Sequence, residues 1–190
     1  MAKLFVKQAK QYANARPTYP QPLFQFIASK TPSHNLVRDA GTGSGLAAKS
    51  LAAIYKNVIG ADASEKQLEF AANLPNVRYR HTPPTMSMAE LEQMHVNLLR
   101  DNYKNIDFPF EPVNGANHTG TFKFVTETAM DFNDFLTYIK SWSAYQTAKA
   151  KGVELLGEDM LQKFKLAWGE DGQIVAKLSI YLRIGSAENA

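Results

Sequence analysis

Three glycines at alternate positions, Gly41, Gly43 and Gly45, stand between an apolar run and a helical one. An acid, Asp39, precedes them, and a second acid, Asp62, lies 21 positions after Gly41. Glycines let a backbone come close to a ligand, because no Cβ intervenes. A helix that opens just after such a loop offers unpaired N–H groups and the positive end of its dipole. A carboxylate at the end of the next strand, about 20 residues on, can accept hydrogen bonds from both hydroxyls of a ribose. Asp39, Gly41, Thr42, Gly43, Gly45, Asp62 and Ala63 therefore describe a site for a nucleotide-like ligand at the carboxyl ends of parallel strands. Asp62 also has a structural reading. Asp-Ala-Ser caps helices, and Ser64 with Gln67 makes a capping box for a helix through Leu68 and Ala71.

The elements that must position this site are legible nearby. Asn35 to Arg38 reads as a short strand, and Leu46 to Tyr55 as a helix with Leu46, Leu51 and Ile54 on one face. Asn57 to Asp62 reads as a buried strand. Asn76 to His81 alternates as a third, ended by Thr82-Pro83-Pro84, and Met86 to Met94 reads as a short helix. Upstream, residues 1–30 form a helical arm in two pieces. The break falls at Arg16-Pro17-Thr18-Tyr19-Pro20, because proline stops one helix and permits the next to start.

The glycine spacing separates two ligand classes. The dinucleotide fingerprint is G-x-G-x-x-G. Here the spacing is G-x-G-x-G behind Asp39. That pattern resembles motif I of the class I S-adenosylmethionine-dependent methyltransferases. With the arm Tyr12 to Pro20 it is similar to one subgroup, the methyltransferase-11-type small-molecule enzymes. The resemblance implies an α/β, Rossmann-like fold, S-adenosylmethionine as cofactor, and an arm lying over the cofactor and substrate pocket. Tyr12 and Tyr19 equally suit a capping arm packed on the sheet, with Arg16 in a surface pair.

The pattern breaks after Met94. The family supplies a fourth strand beside the first, then a helix and a fifth strand, and residues 95–120 contain no apolar β-branched run of that kind. The family pattern returns at residue 121. Thr121 to Thr126 reads as a strand. Asp131 caps a long helix carrying Phe132, Phe135, Leu136, Ile139 and Trp142. Glu158 to Trp168 is a second helix, and Ile174 to Ile184 a long strand. The expected architecture is a single shortened sheet of order 3-2-1 plus a carboxyl-terminal antiparallel pair. Its parts are an arm (1–30), a cofactor-binding half (35–94), a loop replacing the central strands (95–120) and a strand-helix-helix-strand unit (121–190). Loss of the fourth strand leaves the first strand's edge open. Either Ile174–Ile184 moves beside it or a second copy covers it, so a homodimer through the sheet edge is a candidate partner. Arg38, in a strand expected to be buried, must be paired or exposed.

Bulk properties narrow the classes. The chain has 190 residues, a net charge of +3 and a pI near 9.0. The basic excess is spread without a Lys/Arg run, which gives no sign of a nucleic-acid partner. The absence of cysteine excludes disulfides, thiolate metal sites and thiol catalysis within this chain. The four histidines have no ligand spacing, so no metal site is expected. No apolar run is long enough for a membrane span and the first residues lack a signal-peptide core, so a cytoplasmic location is expected.

Three functions remain. The first is a small-molecule methyltransferase, its pocket closed by Tyr12, Tyr19, Phe108–Phe110 and Trp142, with methyl transfer impaired by the missing wall. The second is a methyltransferase-derived cyclase or isomerase using Tyr12, Arg16, His81, Tyr138 or Tyr145 as acid–base groups, with Tyr19 a further catalytic candidate. The third is a catalytically inactive splice variant or pseudoenzyme.

Overall fold

The computed structural model describes residues 16–83, 104, 108–169 and 172–186. The reading of Met86–Met94 as a helix, and Tyr12 with the first half of the arm, lie outside them.

Helix α1 spans Gln21–Lys30, with Pro20 at its N-cap and Pro22 in the first turn. Strand β1 (Leu36–Ala40) follows after a short connection. The glycine loop leads into α2 (Leu46–Leu51), then β2 (Asn57–Asp62), α3 (Glu65–Leu68) and β3 (Val77–His81). The three strands form a parallel sheet of order β1-β2-β3. Leu23 and Phe24 of α1, Ala48 and Leu51 of α2, Tyr55, Val58 and Val77 are buried, and most of them form one core cluster. That core lies on the sheet face carrying Val37, Val58 and Val77, three residues in one register row. Tyr55 closes it: its hydroxyl lies 2.8 Å from Thr31 Oγ1 at the end of α1.

The carboxyl-terminal half is a strand-helix-strand unit. Strand β4 is Phe122–Asp131, α4 is Phe132–Lys140, α5 is Ser143–Ala150, α6 is Glu158–Trp168 and β5 is Gln173–Leu182. β4 and β5 pair antiparallel along their whole length, from Phe122↔Leu182 to Asp131↔Gln173. Phe26 of α1 packs on Phe122 and Phe124, with ring centroids 4.7 and 5.7 Å away. Lys30 Nζ donates to the carbonyls of Asn114 and Gly115 at 3.2 Å. These contacts place the start of β4 beside the last turns of α1, at the amino ends of the parallel strands.

Several boundaries differ from the sequence reading. The helix expected over Leu46–Tyr55 ends at Leu51 and gives way to turns that bury Tyr55. The strand expected over Thr121–Thr126 runs on to Asp131, and the last strand is Gln173–Leu182. The long helix after Asp131 breaks at Ser141-Trp142, where the fully buried Ser141 turns its hydroxyl onto the carbonyl of Tyr138 at 2.6 Å. Competition of this kind from a short hydroxyl favours helix ends. The unit therefore contains three helices where two were expected. The antiparallel pair stands as its own two-stranded sheet, so β5 has not moved in beside β1. Among the described residues, β1 has β2 on one side and no strand on the other. Arg38 is accommodated by exposure: Leu36, Arg38 and Ala40 are exposed while Val37 and Asp39 are half-buried.

Candidate functional site

The site lies where β1 and β2 end. Gly41, Gly43 and Gly45 all adopt positive φ, at 73°, 57° and 77°. Three such residues within five positions turn the chain sharply out of β1, a path that L side chains resist. The turn is fastened at both ends. The N–H groups of Gly41 and Thr42 donate to the carbonyl of Ala61 at 2.7 and 3.0 Å, and Gly45 N–H donates to the carbonyl of Thr42 at 2.9 Å.

The two acids hold the loop from beneath. Thr42, itself buried, donates its hydroxyl to Asp39 Oδ2 at 2.6 Å. Asp62 bridges two amides, accepting Gly43 N–H on Oδ2 and Ser64 N–H on Oδ1, both at 2.8 Å. This arrangement explains why the expected capping box is half made. Ser64 Oγ accepts the Gln67 N–H at 3.4 Å, but the Ser64 N–H that Gln67 would take is already on Asp62. The Gln67 Oε1 atom is buried and has no hydrogen-bond partner among the described residues. Burial pushes the Asp39 carboxyl above the ordinary aspartate value; the hydroxyl of Thr42 and a backbone hydrogen bond from Ala48 oppose the rise, and the nearby Asp62 adds to it.

The loop has two unlike sides. A Cβ added at Gly41 or Gly43 would meet no atom within 4 Å. A Cβ at Gly45 would lie 2.5 Å from the Tyr79 hydroxyl, and one at Gly60 would lie 2.7 Å from the Tyr79 ring. Among the described residues no atom crowds the Gly41–Gly43 side, and the Gly45 side rests on an aromatic ring from β3. Burial raises the Tyr79 phenol above the ordinary tyrosine value, with Asp39 adding to the effect. Tyr79 and Gly60 escaped the sequence reading, although a signal was present. A glycine inside a strand marks a close approach, and Gly60 stands in register between Asp39 and Tyr79.

The remaining candidates divide into groups. His81 stands in register with Asp62 at the site's rim. It is exposed, with Nε2 3.2 Å from the Ala63 carbonyl and Nδ1 3.4 Å from Glu65. Arg16 and Tyr138 come together, the guanidinium 5.7 Å from the ring centroid, and Trp142 meets Tyr138 edge-on at 5.7 Å. Tyr19 lies edge-on to Phe24 at 6.1 Å. Arg16 and Tyr19 both lie in the segment just before α1. Tyr145 belongs elsewhere. It is buried and donates its hydroxyl to Glu154 at 3.0 Å, where Glu154 Oε1 also accepts the Leu156 N–H at 2.8 Å. Phe108 and Phe110 also leave the expected pocket. Phe108 stacks under Arg183 at 4.5 Å, and Phe110 lies against Gly185, just past the end of β5. Leu182 pairs with Phe122, so these rings sit at the amino end of β4, opposite the glycine loop. Among the described residues no group of three or more His, Asp or Glu could hold a metal ion.

No family model matches the chain. A protein of Dictyostelium discoideum, provisionally named a methyltransferase, is 42% identical over 73 residues. That match covers 38% of this chain and 28% of the relative's length. A solved structure from Anaeromyxobacter dehalogenans, provisionally named a type II methyltransferase, aligns with a TM-score of 0.64 at 19% identity. It covers 86% of this chain and 94% of that one. A SAM-dependent methyltransferase from Anabaena variabilis aligns over 50% of this chain and 44% of its own at 25% identity. Its TM-score of 0.34 carries no weight for the fold. The chain has a shortened, Rossmann-like class I methyltransferase fold, with a three-stranded parallel sheet and an antiparallel pair among the described residues.

Proposed function

We propose that this chain binds an S-adenosyl ligand on the Gly41–Gly45 loop and is a small-molecule methyltransferase whose transfer step is weakened by its shortened sheet. The observation that carries the reading is the two-sided loop. Among the described residues a Cβ at Gly41 or Gly43 would meet no atom within 4 Å, and the Asp62 carboxylate already aligns the Gly43 amide at the loop's centre. Each Asp62 oxygen accepts one amide and keeps a second lone pair, so the ribose hydroxyls can still be bound there. S-adenosylmethionine supplies an electrophilic methyl group when bound. The chain's own part is to hold and orient, and methyl transfer depends largely on such alignment. The cluster of Arg16, Tyr138 and Trp142 offers cation and ring faces that would suit a small planar acceptor. No strand flanks β1 on its outer side among the described residues, which removes support from the other wall. A second copy pairing along that edge would restore it. A cytoplasmic location is part of the same reading, and none of the described helices is long and apolar enough to cross a membrane.

The reading is tested by thermal shift with S-adenosylhomocysteine and, separately, NAD. A ligand at about 100 times its Kd stabilises by about 2.7 kcal/mol. S-adenosylhomocysteine should raise Tm and NAD should not. A shift with NAD alone would replace the reading with a dinucleotide site.

A further inference from the structure

We infer that Tyr79 is a positioning residue that acts as the mould for the glycine loop, and that Gly45 and Gly60 form the socket for its ring. This rests on the proposed cofactor site, but its physical content is a statement about the loop itself. The ring lies across two strands and the loop. Its Cδ1 and Cε1 atoms would be 2.7 and 2.8 Å from a Cβ at Gly60, and its hydroxyl 2.5 Å from a Cβ at Gly45. Real Cβ atoms do not come so close, so each glycine is there because the ring is. Ala71 closes the same side. The Tyr79 hydroxyl is buried and has no hydrogen-bond partner among the described residues. A buried hydroxyl without a partner contributes nothing to hold the loop. The ring, not the O–H, is the working part.

Thr42 lies on the same socket, with its Oγ1 3.1 Å from the Gly60 Cβ position and 2.6 Å from Asp39 Oδ2. A ring moved out of the socket would therefore release Gly45 directly and Thr42 through Gly60. The Gly43 amide depends on both, because it reaches Asp62 only while the loop stays folded over.

Amide hydrogen exchange across residues 41–45 in the ligand-free protein tests this, with β2 amides as internal reference. Tyr79→Phe should leave the loop amides within about twofold of the wild type. Tyr79→Leu should speed their exchange by about tenfold or more relative to β2. Gly60→Ala, which keeps Tyr79 and displaces its ring, should do the same if Tyr79→Leu fails to fold. The affinity for S-adenosylhomocysteine, measured well below each variant's Tm, should follow the same order. Loop exchange in Tyr79→Leu and Gly60→Ala that rises only in step with β2 would overturn the inference and make Tyr79 ordinary core. Wild-type protein that binds no S-adenosyl ligand would sink the cofactor reading, and the exchange result would still decide the role of Tyr79.

Discussion

At the scale of single residues, Asp39 and the glycines make separable contributions. The Asp39 carboxyl has a raised pKa in the fold, so its ionised form is the less welcome one. The stability associated with it is fully present below the ordinary value of 3.8 and is lost as pH rises through the folded value. Asp39→Asn keeps an acceptor for the Thr42 hydroxyl and removes the charge. Its Tm should exceed that of the wild type at pH 7, and the gap should close towards pH 4; a gap independent of pH would contradict this cause. Gly43 tests the open side of the loop. Gly43→Ala meets no atom, so the fold loses about 1 kcal/mol for the left-handed conformation alone. Its Cβ would stand where the ligand approaches, and S-adenosylhomocysteine affinity should fall by about tenfold or more. Equal affinities would place the ligand elsewhere. Much of this site was legible from residue type and spacing, because glycine and aspartate act through backbone geometry that sequence reports directly. Tyr79 was not, since its role depends on a cross-strand register. The position of Asp62 at the end of β2 was legible, but its bond to Gly43 joins two elements and no single stretch contains it.

At the scale of elements, the parallel half followed its sequence closely. Val37, Val58 and Val77 fall on one face, and each strand ends within a residue or two of its expected limit. The carboxyl-terminal helices followed less well. The apolar stripe from Phe132 to Trp142 continues past the point where Ser141 ends α4, and periodicity does not register that local competition. The start of α4 was legible. Asp131 accepts the Asp134 N–H at 2.8 Å, and Asp134 accepts the Asp131 N–H at 3.2 Å. Asp131→Ala should cost about 1 kcal/mol, read as a lower denaturation midpoint with an unchanged m-value. No change would mean that α4 is held by its packing against α6, where Phe135 meets Phe164 and Trp168.

At the scale of the whole molecule, the two sheets are joined through α1 rather than by strand pairing. Phe26 bridges to Phe122 and Phe124, and Lys30 to the Asn114–Gly115 turn. The sequence suggested the missing centre but could not show how the halves would meet, because Phe26 and Phe122 are far apart in the chain. Because no strand flanks the outer side of β1 among the described residues, we propose that two copies pair along that edge. Sedimentation should show a concentration-dependent species at twice the 21.2 kDa chain mass. A monomer at all concentrations would rule out pairing through β1. The central claim, that the Gly41–Gly45 loop with Asp62 is a live cofactor site, is tested most directly by calorimetric titration with S-adenosylhomocysteine. The account predicts one site per chain with Kd in the micromolar range, about −8 kcal/mol, abolished by Asp62→Ala. No binding heat at several temperatures from a folded wild-type protein would contradict it.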